Sequence, residues 1–468
     1  MRINVIWPLI VMGAVFLLSG GAFAQSNIYT FPGPDVDLGQ SSRVRVVSGG
    51  HYIGGRGDTV YVLRQLGHTY CHKSTDGGKT FNSGVQVNST AGAVNASLKV
   101  DTAGIVYVAY QDEFADIRFT KSTDGGQTFT PAIKVNDDTI PQTGQEKPAI
   151  AVNNKGQIFI AWRDQRTDPG QPHKAVFATA SYNGGLTFTS NIQVNDSTQP
   201  MGGGIDIGVD SSCRVYVAWD PYSGPLFMSR SDDSANTFYL RTAVSDGVLY
   251  PSIAVSTMSI GVIWEDVRIV NDIFQQTLRF SVSSDLGQMF SSSIVVDSSG
   301  QPQNPSLAWA NNIFYTAWRA THRRTPGGPY FDHIWFSYSR DSGQTFVPFV
   351  DAIPDDTNFV VHESPSIWVN ETEKVFVAWI DSRWDPFDQS LWHLFVSVGT
   401  PHPAKGDLNF DGIINMVDIV LELNTVFLGE PFPAPPHRAD GNCDGQVTPA
   451  DMVILLNRWY RDIPFPCD

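Results

Sequence analysis

The segment Ser74-Thr-Asp-Gly-Gly-Lys-Thr-Phe81 is the first of six copies of one motif, and this motif decides the fold. The consensus is Ser-x-Asp-x-Gly-x-Thr-Phe, and the Asp positions recur about fifty residues apart, a period typical of propellers, solenoids and arrays. The Asp side chain can accept hydrogen bonds from backbone N–H groups of its own turn, and Gly readily adopts the positive φ that the turn requires. The motif therefore predicts one β-turn that is reused in successive units. The other copies begin at Ser122, Ser181, Ser231, Ser283 and Ser339.

Short apolar runs recur in a fixed order between the copies. A first strand such as Pro148–Val152 is followed by a second such as Ile158–Trp162, a third leads into the motif, and a fourth leaves it. The runs are rich in β-branched and aromatic residues and are bounded by turn residues, as strands are. Helical periodicity is absent from this region. The pattern predicts a mainly β chain built from four-stranded units.

The number of units follows from counting the second strand. This run occurs seven times, from Thr59–Leu63 to Val375–Trp379, whereas the motif occurs six times. The last unit stops without a motif, and the segment Tyr29–Val36 resembles the strand Thr128–Val135 that follows a motif. Closing the last unit with an N-terminal strand removes exposed strand edges. We therefore predict seven units, with six as the alternative.

The repeated motif resembles the Asp box of the sialidase family, also called the BNR repeat, and the resemblance covers residues 25–399. It implies a β-propeller whose blades carry the box between their third and fourth strands, on the face away from the active site. Asp76 and its equivalents would then be turn staples and not catalysts. The resemblance also implies a carbohydrate-active protein that hydrolyses O-glycosyl bonds of a glycan. The alternative is a non-catalytic propeller that binds a glycan or a protein.

Candidate site residues fall on the face opposite the boxes. A Trp-x-Asp-x-Arg pattern after the second strand offers three Arg that can hold a substrate carboxylate through bidentate contacts. Just before the first strand, Glu146 and Glu363 take positions where Tyr250 and Asn304 stand in other units, and such groups suit nucleophilic and acid/base work. The candidates are Glu363, Glu146 and Tyr250 for catalysis and Arg166, Arg268 and Arg383 for substrate binding.

The structural alternative for this pattern is an Asp–Arg pair that caps each loop. The Phe/Tyr-Arg-Ile-Pro motif that carries the first Arg of sialidases is absent from the chain. Whether the propeller is an enzyme therefore stays open at this point.

The C-terminal region has a different composition and contains two twelve-residue loops, 407–418 and 440–451. Both loops place oxygen ligands at positions 1, 3, 5 and 12 and Gly at position 6, as Ca²⁺ loops do. Position 7 would bind through its carbonyl, and position 9 through a water. The sequence thus predicts two Ca²⁺ ions as cofactors. The ligands are Asp407, Asn409, Asp411, Ile413, Asn415 and Asp418 in the first loop and Asp440, Asn442, Asp444, Gln446, Thr448 and Asp451 in the second.

Each of these loops runs straight into a helical pattern, with EF-hand-like spacing but Asp at position 12. The duplicated arrangement over 406–468, after a linker at 400–405, resembles a type I dockerin. That resemblance implies docking onto a cohesin-type partner. The pairs Met416-Val417 and Pro449-Ala450 lie where that family places partner-contacting residues, although cellulosomal dockerins commonly carry a small hydroxyl pair there.

The remaining features concern export and partners. Residues 1–24 combine Arg2, an apolar run and Ala22-Phe-Ala24, which predicts a cleaved signal peptide and a secreted, extracellular protein, free or attached to a cell surface. The net charge of −16 disfavours nucleic acid and anionic membranes as partners. No later segment is apolar enough to insert into a bilayer. Among the Cys, we expect Cys71 and Cys213 to be free thiols, whereas Cys443 and Cys467 share one module and can pair.

Overall fold

The structure is a computed structural model, and it divides the chain into two compact units. One covers Asn27–Pro403 and the other contains Ala404–Asp468. The predicted signal peptide, Cys443 and Cys467 lie outside the described residues. The structure describes residues 29–42, 51–139, 144–167, 174–195, 201–221, 224–245, 249–270, 273–323, 330–354, 356, 361–383, 392–401, 406, 408, 414, 416–428, 439–442 and 446–461.

The described strands of the first unit form seven antiparallel sheets, each with the same internal order. The prediction of a seven-bladed β-propeller is confirmed, and the six-bladed alternative is wrong. We number the blades 1 to 7 by their inner strands.

The inner strands are β3 (Ile53–Arg56), β7 (Val94–Val100), β11 (Gln145–Val152), β15 (Met201–Val209), β19 (Leu249–Val255), β23 (Gln303–Ala310) and β27 (His362–Val369). The second strands are β4 (Thr59–Leu66), β8 (Val106–Gln111), β12 (Ile158–Asp164), β16 (Val215–Pro221), β20 (Ile260–Val270), β24 (Ile313–Arg323) and β28 (Val375–Asp381). The third strands are β5 (His68–Ser74), β9 (Ile117–Ser122), β13 (Ala175–Ser181), β17 (Leu226–Ser231), β21 (Ile273–Ser283), β25 (Tyr330–Ser339) and β29 (Trp392–Pro401). The outer strands are β6 (Val85–Gln86), β10 (Ile133–Lys134), β14 (Ile192–Gln193), β18 (Leu240–Ser245), β22 (Ile294–Asp297) and β26 (Val350–Asp351), with β1 (Tyr29–Thr30) and β2 (Val36–Ser41) completing blade 7.

The second strands form the core of the blades. Each strand lies in the middle of its sheet, and each sheet packs against a blade on both sides, so both faces of the strand are buried. This explains why the runs are continuously apolar and do not alternate with polar residues. Five of the strands carry a Trp with no exposed surface, namely Trp162, Trp219, Trp264, Trp318 and Trp379.

The N-terminal segment closes the ring, as predicted. Tyr29 and Thr30 pair with Pro401 and Thr400, and Val36–Ser41 pairs along the same edge of β29. The closing strand thus extends to Ser41, beyond the predicted end at Val36. β29 itself continues to Pro401, two residues into the segment assigned to the linker 400–405, because these residues form the ladder with β1.

Aromatic packing anchors this closure. The Tyr29 ring lies 5.1 Å from the Phe336 ring and 5.2 Å from the Tyr338 ring of blade 6, and its hydroxyl donates to the Glu373 carbonyl at 3.0 Å. Phe31 takes the space above Gly399, where an added Cβ would lie 2.6 Å from the ring. The N-terminal segment therefore joins blade 7 to blade 6 through side chains as well as through its ladder.

The Asp boxes are self-contained turns. Asp76 accepts the backbone N–H groups of Lys79 and Thr80 at 3.1 and 3.0 Å and the Thr80 hydroxyl at 2.6 Å. The Ser74 hydroxyl donates to Asp76 and accepts the N–H of Gly78, whose φ is +83°. The hydrogen bonds from Thr80 and Ser74 hold the pKa of Asp76 well below its usual range. These contacts are those of a turn staple.

The boxes also lock neighbouring blades together. The fifth residue of the box in blades 3 and 6 is a Gly that faces an aromatic side chain of the preceding blade, so an added Cβ would lie 2.3 Å from Phe119 at Gly185 and 2.3 Å from Phe280 at Gly343. Contacts of that length do not occur between real side chains. In these two boxes Gly is therefore required for close approach as well as for the positive φ, whereas the box of blade 4 has Ala235 at the same position with a φ of +69°.

The second unit is small and helical in its described part. α1 (Met416–Leu423) continues into a wider turn over Asn424–Leu428, and α2 (Pro449–Arg461) follows the second predicted Ca²⁺ loop. Ile419 of α1 and Leu455 of α2 are buried in one apolar cluster. No helix of the described chain is both long enough and apolar enough to cross a membrane. In the first unit, Cys71 and Cys213 are buried free thiols, as expected.

Replacing Gly343 by Ala tests the role of the box in joining blades. Gly104 is the matched control, because its φ of +82° is similar but an added Cβ would meet nothing within 4 Å. We expect Gly343→Ala to lower the free energy of unfolding by roughly 1–3 kcal/mol more than Gly104→Ala, the usual range for an overpacked contact. Chemical denaturation measures both. Equal losses would show that only the backbone conformation matters at this position.

Candidate functional site

A repeated β-bulge shapes the channel mouth, which is the end of the central channel opposite the Asp boxes. The pairing of the inner strand with the second strand shifts register near the start of the inner strand in six blades. Five of these bulges hold a non-glycine residue in the left-handed region, with φ between 52° and 56°. Such bulges re-aim side chains and concentrate at functional sites. The five residues are Asn95, Lys147, Tyr250, Asn304 and Ser364.

The bulge corrects one alignment made from the sequence. Glu146 pairs with Arg163 and Glu363 with Ile380, the residues just after the second-strand Trp. In blade 5 the equivalent partner of Glu265 is Leu249, so Tyr250 is one position further along. Tyr250 and Asn304 therefore match Lys147 and Ser364, and not Glu146 and Glu363 as the sequence suggested. The bulge adds one residue to the inner strand. Because a shift of one residue along a strand moves a side chain to the other face, Tyr250 and Glu146 point in different directions.

Arg166, a predicted substrate ligand, is held inside its own blade. Its guanidinium binds Asp164 at 2.8 Å and Asp137 at 2.5 Å, and it lies over the Phe177 ring at 4.3 Å. The Trp162 indole N–H donates to the same Asp164 carboxylate at 2.8 Å. The Trp-x-Asp-x-Arg pattern is thus one connected unit in which Asp binds both the indole and the guanidinium. These are the contacts expected of the structural alternative.

Arg383 makes the same unit in blade 7 and extends it to the closure of the ring. It binds Asp381 at 2.7 Å, Asp356 at 3.1 Å and Asp35 of the N-terminal segment at 3.3 Å. His362 lies 2.9 Å from Asp356, so the group Asp356, His362 and Asp381 has the composition of a metal site. The Arg383 guanidinium already binds the carboxylates of Asp356 and Asp381 and so supplies their counter-charge without a metal ion. Arg268 also binds its own Asp266, at 2.8 Å, and is 46% exposed.

The structure instead gathers polar side chains of blades 3, 4 and 5 around Gly203. The Lys147 ammonium and the Arg163 guanidinium each lie 3.4 Å from the Gly203 carbonyl, and the Gly203 N–H donates to Asp220 at 3.0 Å. The Tyr250 ring packs on the same glycine, where an added Cβ would lie 2.8 Å from the ring. Gly203 therefore lets the residues of the two flanking blades approach each other.

Two carboxyl groups are buried behind this surface. Burial raises the pKa of Asp220 to about 6, against the hydrogen bonds donated by Gly204 and Gly203. Burial raises the pKa of Glu265 to about 8, although the Asn304 N–H and the Gln276 amide donate to it at 2.5 and 3.1 Å. At neutral pH Glu265 is therefore mostly protonated and Asp220 mostly ionised. We call Lys147, Arg163, Asp220, Tyr250 and Glu265 the mouth cluster.

The predicted catalytic Glu146 borders the mouth cluster. Its side chain is 31% exposed, contacts the Lys174 ammonium and lies 3.7 Å from Arg163. Burial alone would raise the pKa of Glu146, but the Lys174 ammonium and the Arg163 guanidinium outweigh it and lower the pKa. Burial and the nearby Arg163 lower the pKa of Lys147 to about 8. Glu363 is buried in blade 7.

The sequence did not identify four members of this cluster, although a signal for them was present. The residue after the second-strand Trp is charged in four blades, and it is the first of the two residues that the Trp-x-Asp-x-Arg pattern left unspecified. Blade 4 carries Gly202-Gly-Gly204 where its neighbours carry a residue followed by Pro. The four charged residues are Arg163, Asp220, Glu265 and Arg319.

The predicted Ca²⁺ loops are partly described. Asp418 and Asp451, at position 12 of each loop, have no exposed surface. Asp418 accepts the N–H of Leu408 at 2.7 Å, and Asp451 accepts the N–H groups of Asn442 and Thr448 at 3.1 and 2.8 Å. Asp440 and Gln446 of the second loop are also described. Asp407, Asn409, Asp411, Ile413, Asn415 and Asp444 lie outside the described residues.

Comparison with known proteins gives similarity only at the level of solved structures. No protein-family model matches the chain, and no curated protein matches it. A Hadza microbial sialidase, Hz136, aligns at 13% identity and a TM-score of 0.45 over 71% of this chain and 73% of that one. The sialidase of Trypanosoma rangeli aligns at 10% identity and a TM-score of 0.44 over 84% and 62% of the two chains. The polysaccharide lyase Uly1 aligns at 10% identity and a TM-score of 0.48 over 75% and 90%.

These TM-scores all lie below 0.5, so we draw no functional conclusion from the similarities. The function is argued below from the chain's own residues.

Replacing Glu265 by Gln should change how stability depends on pH. Because burial raises the pKa of Glu265 from 4.5 to about 8, the folded protein binds more protons than the unfolded chain between these values, and its stability falls as the pH rises through them. Asp220 adds to this fall below about pH 6, and Lys147 opposes it only above about pH 8. We expect the Tm of the wild type to fall more between pH 5 and pH 8 than that of Glu265→Gln.

Calorimetry at the two pH values measures this difference, with the exposed Glu371→Gln as the control that should behave like the wild type. Parallel Tm curves for the wild type and Glu265→Gln would contradict the burial of a protonated carboxyl at the mouth.

Proposed function

We propose that this chain is a carbohydrate-active protein that binds a glycan at the channel mouth and hydrolyses one of its O-glycosyl bonds. The observation that carries this proposal is the convergence of cations, an aromatic ring and carboxyl groups of different pKa around Gly203. Aromatic rings bind the apolar faces of sugars, whereas Lys and Arg bind their acidic substituents. Carboxyl groups whose environments separate their pKa values are the usual acid and base of glycoside hydrolysis.

The roles that we propose for these residues follow from how exposed each side chain is. Glu146 is accessible and kept ionised by Lys174 and Arg163, so it suits stabilisation of a cationic sugar transition state or nucleophilic attack. Tyr250, partly exposed on Gly203, supplies the ring and a phenolic proton. Asp220 and Glu265 are buried beneath these exposed residues. Glu363 stays a prediction for a catalytic role, to be decided by the same assay.

A second candidate function is glycan binding without catalysis. The two carboxyl groups with raised pKa, Asp220 and Glu265, are 0% and 3% exposed, so a bound sugar meets them only if the mouth rearranges. The guanidinium groups of Arg166 and Arg383 are also bound by carboxylates of their own surroundings. Such a site offers a bound sugar few reacting groups.

A screen of the mature chain on fluorogenic glycosides and a glycan array separates the two functions. For a hydrolase acting at the mouth cluster, Glu146→Gln and Tyr250→Phe should each lower kcat about 10²–10⁴-fold, the usual cost of losing a reacting group. Glu371→Gln, on the opposite face, should leave kcat unchanged.

Loss of activity in Glu363→Gln alone would move the reaction to blade 7 and refute the mouth cluster as the catalytic site. Absence of hydrolysis across the panel, with array binding that Tyr250→Ala abolishes, would establish the binding function instead.

For the C-terminal unit we propose two structural Ca²⁺ ions and a cohesin-type partner. The carboxyl groups of Asp418, Asp451 and Glu422 are all buried in this small unit, and both oxygens of Glu422 lack a hydrogen-bond partner. Burial and the nearby Asp451 raise the pKa of Glu422 to about 8, the response of a carboxyl without a counter-charge. A bound Ca²⁺ would supply that charge through the predicted loop ligands.

The docking proposal rests on the exposed surface of the two helices. Met416 and Val417 are each 51% exposed at the start of α1, and Pro449 and Ala450 are exposed at the start of α2. These are the pairs that the resemblance assigned to partner contact. Together with the N-terminal leader, they favour a secreted propeller attached to a cohesin-bearing partner outside the cell.

Calorimetric titration of the full chain with Ca²⁺ tests the metal proposal. We expect two sites in the wild type and one in either Asp407→Ala or Asp440→Ala, because each variant removes position 1 of one loop. Asp58→Ala, an exposed carboxylate of the propeller, should keep both sites. A titration without heat at micromolar to millimolar Ca²⁺ would rule the ions out.

A further inference from the structure

The centre of the propeller contains a cavity of about 250 Å³ that is separate from the mouth cluster. Residues of all seven inner strands line it. Most are the last residues of these strands, so the cavity lies in the half of the channel next to the Asp boxes. The wall residues at this level are Val100, Val152, Val209, Val255, Trp309 and Trp368.

His51 forms a floor between the cavity and the mouth. Its Nε2 lies 3.7 Å from Asp206 and its Nδ1 lies 3.4 Å from the Ser306 hydroxyl, so the ring spans blades 1, 4 and 6. Along β15 the order is Gly203 at the mouth, Asp206 at the floor and Gly208 at the cavity wall. The floor therefore divides the channel into two compartments that different ligands can occupy.

Lys99 brings an amino group into the lower compartment. Within the part of the chain that the structure describes, no hydrogen bond or ion pair engages its ammonium. The nearest opposite charge, Asp206, is already bound by the N–H groups of Ile207 and Ile253 at 2.8 and 2.7 Å. Burial lowers the pKa of Lys99, with Asp206 acting in the opposite direction, and an anion beside the ammonium would favour its charged form.

The remaining walls suit a hydroxylated ligand. Each inner strand is the last strand of its sheet, so one edge of its backbone faces the channel, and the N–H and C=O groups of that edge that neighbouring blades do not bind are open to the cavity. Trp309 and Trp368 both line the cavity but lie on opposite faces of their sheets. Trp309 packs on Phe314, whereas Trp368 packs on Phe376 and reaches over Gly55 of blade 1, where an added Cβ would lie 2.9 Å from the indole. Backbone groups bind hydroxyls, and indole faces bind the C–H surfaces of sugar rings.

We propose that this compartment is a second binding site, open toward the Asp-box face, for a monosaccharide acid whose carboxylate pairs with Lys99 and whose ring lies against Trp368. The cavity is smaller than the 300–1,000 Å³ or so of pockets for drug-sized ligands, which fits a single sugar ring better than an oligosaccharide. The site is distinct from the proposed hydrolytic site and does not depend on it.

Titration of the full chain with D-glucuronate, followed by calorimetry and tryptophan fluorescence, tests this proposal. D-glucose is the matched ligand without the carboxylate, and Lys99→Met is the variant that keeps the side-chain length but removes the charge. We expect one site for glucuronate, at least about tenfold weaker binding of glucose, and a similar loss in Lys99→Met, because each change removes the charge-assisted pair. Lys79→Met, on an exposed box turn, should bind as the wild type does.

Three results would overturn the proposal. These are equal binding of glucose and glucuronate, unchanged binding in a folded Lys99→Met protein, and no binding at tens of millimolar glucuronate. Tyr250→Phe separates the compartments, because it alters the mouth and should leave the titration unchanged. Loss of glucuronate binding in Tyr250→Phe with retention in Lys99→Met would place the ligand at the mouth and refute a channel site.

Discussion

The closure of the blade ring by the N-terminal strands is the constraint on which the rest of the structure depends. Blade 7 has three strands of its own, and β29 would present an open edge if β1 and β2 did not pair with it. Side chains reinforce this ladder, because Tyr29 packs into the aromatic cluster of blade 6 and Arg383 binds Asp35. Once the ring is closed, the seven inner strands face one another around a channel of fixed width.

Hydrogen bonds between neighbouring inner strands then hold that channel in register. The Ser252 hydroxyl accepts the N–H of Leu307 at 3.1 Å, and the Ser306 hydroxyl accepts the N–H of Ile367 at 3.1 Å. The series returns to blade 1, where Ser366 accepts the N–H of Tyr52. These bonds satisfy backbone groups that the edge of each inner strand would leave unpaired. They also fix the level at which His51 spans the channel.

Much of the fold follows from local chemistry and is readable in the sequence. The six boxes specify their own turns because Asp76 and its equivalents bond within eight residues, and the seven Val-x-Val-Ala-Trp-like runs reveal the central strands because both of their faces are buried. The N-terminal strand was also predictable, since Tyr29–Val36 repeats a pattern found after the boxes. Its extension to Ser41 was not, because the pairing of β2 depends on where β29 lies.

The candidate site was less predictable, for a physical reason. A β-bulge adds one residue to the inner strand, and its place became clear only from the strand pairing: Tyr250 was aligned with Glu146 although, like Lys147, it lies in the bulge just before a Pro. The sequence also cannot tell whether an Arg serves a ligand or its neighbours, and Arg383 proved to bind three carboxylates. Gly203 matters because side chains of the two flanking blades pack on it, and these side chains are distant from it in the sequence.

Hydrogen–deuterium exchange of the intact protein tests the closed ring most directly. The six-residue strand β2, Val36–Ser41, can be compared with β18, Leu240–Ser245, an outer strand of equal length in blade 4. If the N-terminal segment closes blade 7, the amides of the two strands should show protection of the same order, because both donate to a third strand. Exchange of Val36–Ser41 at the rate of an unstructured peptide, with β18 still protected, would contradict the account.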